Sequence, residues 1–469
     1  MLCGGLLPRF TCPTRRLPHR VFCSVAADAP AETTPGEREA RIAATQLRTT
    51  AALLGSLAPF VRTQRGCGAN VAELAGARSF NSSSRRLYRE LLFTAVRHWA
   101  WAEALLLRED NGGAAAALAC ARLASPTPEV ARLRAALAGR GDPLNVESAA
   151  EALQPLCASR LCTAEELAAP AWLRTQQPLL PAPAVLLSRP PVYIRLNVSD
   201  ADAASAAALL GRLRSELSSL GVTAASTPVP GCFSLRASDS GEADVTSLPS
   251  FAAGLFEVQD IGSQAVLRAV GLCAATSPCA WLDVCAGAGG KTLQLASLLG
   301  PAATVTASDV RASVLATLRA RSSRAGLGGR VATRPPSGLA GLFDGVLVDA
   351  PCTGSGTWRR YPALRWAVGA ATPAASEEAA ATQLAILLRA ASFVKPGGLL
   401  VYATCSMAQQ ENEGVRSTFA SSFAGRRFDH APLSGARALG LDDRGGWANI
   451  RHDELDGDAF FIASWRRAA

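Results

Sequence analysis

Short apolar runs alternate with longer amphipathic segments in the second half of the chain. The apolar runs predict buried strands near residues 279–285, 303–308, 344–349, 398–404 and 459–465. The amphipathic segments predict helices near residues 290–299, 311–325, 376–393 and 409–420. Strands and helices in alternation are typical of a doubly wound, mainly parallel sheet. We therefore predict an α/β, Rossmann-like domain over residues 251–469.

The first half of the chain has a different pattern. From Arg38 to about Leu167 the apolar spacing is helical, and Asn81 is placed to cap a helix over residues 85–107. Six prolines mark residues 170–191 as a linker. We predict an all-helical domain over 38–169, the proline-rich linker over 170–191, and a small α+β unit over 192–250.

Residues 1–37 form a separate, basic segment. No acidic residue precedes Asp28, and four arginines are interspersed with apolar residues at positions 9–20. This composition predicts an organellar transit peptide followed by a short linker, in a protein of the chloroplast or the mitochondrion. A basic tail without a targeting role is the alternative.

Composition narrows the classes of partner. The net charge of +9 comes from 45 arginines, since the only lysines are Lys291 and Lys395. An arginine-rich surface suits nucleic-acid phosphates, although a coding bias toward arginine would give the same count. The thirteen cysteines include no pair with two residues between them, so we expect no metal site. No run of 18 apolar residues is present, and we expect no membrane span.

A glycine-rich turn follows the first predicted strand of the α/β domain. Its residues are Cys285, Ala286, Gly287, Ala288, Gly289, Gly290 and Lys291. Glycines allow a ligand close to the backbone, and the helix that follows offers N–H groups. Asp309 ends the second strand, where an acid commonly accepts hydrogen bonds from a ribose. Turn and acid together predict a site for an adenosine-containing cofactor, with helix capping as a second role for Asp309.

Two cysteines end the third and fourth predicted strands. Cys352 follows Asp349 closely, and Cys405 ends the run at 398–404. Ligands of open α/β sheets bind beyond the carboxyl ends of the strands, so both thiols fall where chemistry is usually done. A cofactor loop with two thiols predicts group transfer through covalent catalysis by cysteine. A buried structural role is the alternative for either cysteine taken singly.

Three long segments carry a resemblance to a known family. They are Asp283–Thr292, Asp349–Pro362 and Ala403–Glu413, with shorter matches at 256–264 and 456–461. They resemble RNA (cytosine-5) methyltransferases of the NOL1/NOP2/Sun superfamily, of the bacterial Sun/RsmB (Fmu) type. The resemblance covers residues 185–466 well and the helical region more weakly.

The resemblance implies S-adenosylmethionine as cofactor, held by the 285–291 turn together with Asp309 and Asp349. It implies Cys405 as the nucleophile, Cys352 as the second cysteine that assists product release, and Asp349 as a partner of the cytosine ring. It also implies an RNA partner, small-subunit ribosomal RNA, a NusB-like helical domain and an RRM-like small unit, and we expect a monomer. Two positions depart from the family pattern: Ala288 replaces a proline, and residues 330–337 lack the usual adenine-binding acid.

Other functions fit the same residues. The substrate could be transfer RNA, or the chain could be a catalytically weak RNA-binding factor of ribosome assembly on a methyltransferase fold. Several basic and aromatic side chains are candidates for RNA contact, and a solvated basic face is the alternative for the arginines at positions 85–97 and 195. They are Arg85, Arg86, Arg89, Arg97, Arg195, Trp358, Arg359 and Arg360.

Overall fold

The computed structural model describes residues 34–62, 67–77, 79–108, 110–137, 139–157, 159–176, 180–197, 203–237, 244–367 and 371–469. Residues 1–33 lie outside this set, and the transit peptide expected there stays a prediction. Among the described residues no helix has the length and apolar character needed to cross a membrane.

Ten helices precede the first strand in the described residues. They are α1 Pro35–Val61, α2 Cys67–Ala75, α3 Ser82–Arg97, α4 Trp99–Leu106, α5 Gly112–Leu123, α6 Pro128–Ala135, α7 Val146–Leu153, α8 Ala164–Ala168, α9 Ala171–Gln176 and α10 Pro183–Leu186. Apolar faces of α1 to α8 and α10 enclose one core, to which Trp99 and Trp101 contribute two of the largest buried side chains. The described part of residues 38–167 is therefore mainly helical, as its apolar spacing predicts.

The helix predicted over residues 85–107 is divided at His98. The side chain of Asn81 accepts a hydrogen bond from the Ser84 N–H at 2.8 Å, which confirms the predicted cap. His98 leaves helical geometry with φ −112° and ψ 35°, so α3 ends and α4 begins there. Burial lowers the pKa of His98 to about 3, so its ring is neutral and bonds to the Thr94 carbonyl.

A small antiparallel sheet follows the helices. Its elements are β1 Val192–Leu196, α11 Ala203–Ser219, β2 Val222–Ser226, β3 Cys232–Ala237, α12 Pro249–Ala252 and β4 Phe256–Val258, with strand order β2-β3-β1-β4. Strand β4 lies beyond the predicted boundary at residue 250, yet it pairs with β1. Glu257 on β4 forms ion pairs with Arg321 at 2.9 Å and Arg324 at 2.5 Å, which join this sheet to the α/β domain.

The α/β domain has the doubly wound arrangement that the sequence predicts. Its elements are α13 Ile261–Val270, β5 Cys279–Asp283, α14 Gly290–Leu299, β6 Ala303–Ser308, α15 Ala312–Arg324, β7 Val331–Arg334, β8 Phe343–Asp349, α16 Ala363–Trp366, α17 Pro373–Ala391, β9 Val394–Thr404, α18 Val415–Ser421, β10 Phe428–His430, β11 Trp447–Ile450, α19 His452–Leu455 and β12 Phe460–Arg467. The sheet order is β10-β12-β9-β8-β5-β6-β7, with β11 beside β12. Strands β5 to β9 are parallel and β12 is antiparallel, so the carboxyl ends of β5, β6, β8 and β9 share one edge.

The proline-rich segment packs against this edge. Within the predicted linker, α9 carries the fully buried Leu173, which joins a cluster with Trp358 and Met407. The indole of Trp172 donates to the Ala371 carbonyl at 3.1 Å. The segment thus contacts the residues that follow both strand-end cysteines, and it fixes the helical region on the α/β domain.

Candidate active site

The two strand-end cysteines are in contact. Strands β8 and β9 are parallel neighbours in which Asp349 is paired with Ala403, so Cys352 and Cys405 leave the sheet side by side. Their Sγ atoms lie 3.2 Å apart, and both side chains are half-buried. The structure therefore brings together the thiols that the sequence separates by more than fifty positions.

Asp349 and Lys291 form an ion pair beside the thiols. The Lys291 ammonium donates to Asp349 Oδ2 at 2.9 Å and lies 4.5 Å from the centre of the Phe460 ring. The Lys291 side chain is only 7% exposed, whereas Asp349 is 30% exposed. Asp349 can therefore reach a ligand while Lys291 compensates its charge from the protein side.

Glu411 forms hydrogen bonds with the loops that follow both cysteines. It lies in a π-helical turn at Gln410–Gly414 and is fully buried. Its Oε2 accepts from the Thr353 N–H at 2.9 Å and from Gln383 Nε2 at 2.9 Å. Its Oε1 accepts from the hydroxyls of Thr353 at 2.6 Å, Ser406 at 2.6 Å and Ser376 at 3.3 Å. Thr353 and Ser406 are the residues after the two cysteines, so one carboxylate fixes the spacing of both thiols.

Sequence reasoning assigned no role to Glu411. The acid is visible in the Glu-Asn-Glu tract after Cys405, but its donors come from three separate loops and helices. A buried carboxylate that lost its hydrogen bonds would cost free energy. The five donors around Glu411 are therefore held in position. Its place six residues after a strand-end cysteine is the only signal in the sequence.

The glycine-rich turn lies at the adjacent strand end. Gly287 has φ +52° and Gly289 φ +91°, conformations that disfavour a side chain. A Cβ atom at Gly289 would come within 2.7 Å of Leu318, while at Gly287 only Arg311, 4.0 Å away, bounds the space. The turn therefore offers bare backbone to a ligand on its open side.

Three carboxylates lie around the turn. Burial raises the pKa of the Cys285 thiol, and the nearby carboxylates of Asp283, Asp349 and Asp309 raise it further. Burial also raises the pKa of Asp283 to about 7, while the Thr292 hydroxyl donates to it at 2.7 Å. Two of these carboxylates are ion-paired, Asp349 with Lys291 and Asp309 with Arg311, so their charge is largely compensated at the turn.

Asp309 lies over the turn, where the sequence predicts a ribose contact. Its Oδ2 accepts from the Gly287 N–H at 3.0 Å. Arg311 occupies both oxygens, with Nε 2.9 Å from Oδ1 and Nη2 3.0 Å from Oδ2. A carboxylate offers about four lone-pair sites, and the Arg311 N–H takes the fourth at 2.9 Å. Arg311 must therefore move before a ribose can bond to Asp309, and its side chain is 63% exposed.

The thiol of Cys405 is held in its protonated form. The hydrogen bond with Cys352 raises its pKa well above the usual value, and burial and the negative charges of Cys352 and Asp349 add to this. The positive charge of Lys291 lowers the pKa of the Cys405 thiol. The closest group to receive the proton is the Cys352 sulfur, since it lies in hydrogen-bond contact.

Three residues considered for RNA contact are buried and make contacts within the protein. Trp358 is 3% exposed in the cluster with Leu173, so its ring cannot stack on a base in this structure. Arg195 is buried on β1, where its Nε donates to Gln259 at 2.8 Å. Arg359 is 2% exposed and pairs with Asp456 at 2.8 Å. The direct contacts of each of these three side chains are with other residues of the protein.

Residues 274–466 match the family model described as 16S rRNA methyltransferase RsmB/F. This part of the chain is therefore similar to methyltransferases of the RsmB/F type. The resemblance seen in the motifs is thereby confirmed, and S-adenosylmethionine is the cofactor that a methyltransferase domain of this type uses.

Curated relatives of the RsmB/F domain have the same family name. Ribosomal RNA small subunit methyltransferase F of Salmonella agona is 31% identical over 255 residues, which are 51% of this chain and 51% of the relative. The protein of that name from Erwinia tasmaniensis is 30% identical over 257 residues, 52% of each chain. The chain thus spans about half the length of the curated relatives it matches.

Solved structures share the fold over a longer part of the chain. A crystal structure of a protein called PH0851 has a TM-score of 0.62 at 21% identity, and covers 93% of this chain and 100% of that one. NSun6 from Pyrococcus horikoshii, crystallised with SFG, has a TM-score of 0.50 at 19% identity over 64% of this chain and 99% of its own. At these identities the likeness shows the fold, and it confirms the predicted α/β methyltransferase architecture.

Proposed function

We propose that this protein transfers a methyl group from S-adenosylmethionine to C5 of a cytosine in RNA, through a covalent bond between Cys405 and C6. Small-subunit ribosomal RNA is the proposed substrate, since the family and the curated relatives bear that name. The observation that carries the proposal is the contact between the thiols of Cys352 and Cys405, beside the cofactor turn.

The chemistry explains why two thiols are required. C5 of cytosine is a poor nucleophile until a thiolate adds to C6 and makes C5 electron-rich. S-adenosylmethionine supplies, when bound, an electrophilic methyl group for C5. Cys405 must then leave C6, which requires loss of the proton from C5. Cys405 leaves as a thiolate while a base accepts the C5 proton, and Cys352, whose sulfur is in contact with that of Cys405, can be that base in its thiolate form.

Asp349 and Lys291 support the addition step. Asp349 is the exposed member of the pair, and its carboxyl group can share a proton with N3 of the cytosine ring; a proton on N3 draws electrons from C6. Lys291 opposes the rise in the pKa of the Cys405 thiol and so favours the thiolate. The target base must leave its stack to reach these groups, because the thiols are half-buried.

The direct test is methyl transfer to RNA in vitro. The purified chain, S-adenosylmethionine with a labelled methyl group and small-subunit ribosomal RNA should give labelled RNA, and bisulfite sequencing should place the label at a cytosine. Cys405→Ala should abolish labelling while S-adenosylmethionine still binds by calorimetry. Labelling by the Cys405→Ala protein, or label at a base other than cytosine, would contradict the proposal.

A further inference from the structure

A cleft of about 290 Å³ separates helix α3 from the α/β domain. We call it the arginine cleft. Its walls come from α3, from the segment at residues 189–192, and from the end of the loop that begins at Cys352. Six arginines line it: Arg86, Arg89, Arg97, Arg189, Arg359 and Arg360. Five of them were candidates for RNA contact in the sequence, three on α3 and two after Cys352, and the structure adds Arg189.

Positive charge exceeds negative charge on the walls. The two carboxylates that line the cleft already have arginine partners: Glu90 pairs with Arg189 at 3.3 Å, and Glu129 with Arg86 at 2.8 Å. On the opposite wall, Arg359 pairs with Asp456, and Arg360 pairs with Asp260 and Asp458. These acids lie behind the arginines and hold them in position.

Arg97 is nearly buried in the wall of the cleft. Its side chain is 5% exposed, and its Nε has no hydrogen-bond partner within the described ranges. Burial lowers its pKa to about 10, with Arg189 and Arg359 lowering it further against Glu90, so it remains charged at neutral pH. A buried guanidinium with an unused donor is unfavourable unless an anion approaches it.

The shape and chemistry of the cleft fit a phosphodiester. Arginine forks bind phosphate oxygens in pairs, and several forks converge here. The remaining wall is apolar, formed by Phe93, Pro190, Pro191 and Val192, and can accept a ribose or a base. The α3 face that supplies Arg86, Glu90, Phe93 and Arg97 follows helical spacing, whereas Arg85 on the same helix does not line the cleft.

The cleft is continuous with the catalytic loop. Arg359 and Arg360 end the stretch that begins at Cys352. Arg360 also bonds to Asp458, two residues before Phe460, whose ring contacts Lys291. The loop that carries Cys352 therefore also supplies two of the cleft arginines.

We propose that the arginine cleft binds a backbone phosphate of the RNA strand that flanks the target cytosine. The inference rests on the proposed function for the identity of the strand as RNA. It adds a binding site that is formed jointly by the helical region and the α/β domain, and it explains why the two are fixed together.

The test compares Arg89→Gln with Arg85→Gln in the full chain. Both arginines are exposed on α3 and both changes remove one charge, but only Arg89 lines the cleft. The probe is a short fluorescent oligoribonucleotide without cytosine, which can occupy the cleft but offers no target base. Arg89→Gln should weaken binding about fivefold to tenfold and reduce the salt slope by about 0.7, whereas Arg85→Gln should change both far less. Thermal unfolding of both variants checks that the fold is retained.

Several results would overturn the proposal. Equal losses for the two variants would indicate general attraction to a basic surface. Failure of the native protein to bind the cytosine-free probe at low salt would exclude the cleft as a strand site. Calorimetric binding of inorganic pyrophosphate that Arg89→Gln abolishes, with RNA binding unchanged, would assign the cleft to a small anion. Methyl transfer to cytosine-containing RNA is measured separately. The methyl-transfer assay tests the proposed function, and the binding results above test only the cleft.

Discussion

The Sγ atoms of Cys352 and Cys405 lie 3.2 Å apart at the ends of two adjacent parallel strands. A disulfide has an S–S distance of about 2.05 Å, so the sulfurs need to approach each other by only about 1 Å. The pair that is proposed to act on cytosine is therefore also a pair that can be oxidised.

We predict that diamide forms a Cys352–Cys405 disulfide and abolishes methyl transfer. Both thiols lose a proton and an electron, and diamide is reduced to the hydrazine. Peptide mapping should find the cross-link, and dithiothreitol should restore activity. Cys273→Ser, which removes an exposed cysteine elsewhere, should leave the inactivation unchanged. Inactivation through a different pair would show that the two sulfurs cannot reach disulfide geometry.

The alanine variants of the two thiols should fail in different ways. Cys405→Ala should form no covalent complex with RNA, because the attacking sulfur is absent. Cys352→Ala should attack C6 and then stall, which leaves a protein–RNA band on a denaturing gel that ribonuclease removes. If only the Cys405→Ala protein forms the covalent complex with RNA, Cys352 is the nucleophile and Cys405 assists release. Absence of a band in both would favour the non-catalytic RNA-binding function.

The strand-end cysteines could be placed from the sequence because parallel strands end at a common edge. The apolar runs before Cys352 and Cys405 mark two buried strands, and the order of motifs makes those strands part of one sheet. The glycine turn was predictable for the same reason. Local pattern and chain order were sufficient for these residues.

Other parts of the site depend on contacts that no local pattern contains. Glu411 acquires its role only when Thr353, Gln383 and Ser376 converge on it. Trp358 is an aromatic residue next to two arginines, which is typical of an RNA contact, yet Leu173 from the proline-rich segment covers it. The first outcome is set by tertiary contacts within the α/β domain and the second by the packing of the proline-rich segment on it, and neither leaves a periodic signal in the sequence.

Replacement of Glu411 should impair catalysis more than cofactor binding. In Glu411→Gln one oxygen becomes a donor, so the loops after Cys352 and Cys405 lose part of their common anchor. We expect a loss of about 1–3 kcal/mol in stability, and a fall in kcat of about 10- to 100-fold from misplaced thiols. Glu377→Gln, an exposed change beside Ser376, is the matched control. A normal kcat with reduced stability would limit Glu411 to a folding role.

Asp309 and Arg311 should have opposite effects on cofactor affinity. Asp309→Ala should weaken S-adenosylmethionine binding by about 1–3 kcal/mol, the usual cost of a lost polar partner. Arg311→Ala should strengthen it by up to about 1 kcal/mol, because an exposed ion pair that competes for Asp309 is removed. Arg319→Ala, on the exposed side of α15, should have no effect on the affinity measured by calorimetry. Weaker binding in Arg311→Ala would mean that Arg311 itself contacts the cofactor.

The raised pKa of Cys405 gives a pH dependence of defined sign. The thiolate is the reactive form, so alkylation of Cys405 by iodoacetamide should accelerate as pH rises, with its midpoint above that of an ordinary thiol. The hydrogen bond with Cys352 is the largest cause of the shift, and the charge of Cys352 also contributes. Cys352→Ala should therefore move the midpoint to lower pH, and Asp349→Asn should move it in the same direction by less. Mass spectrometry of the Cys405 peptide measures the rate in the cofactor-free protein. An unchanged midpoint in Cys352→Ala would assign the shift to burial, and proton transfer between the two sulfurs would lose its support.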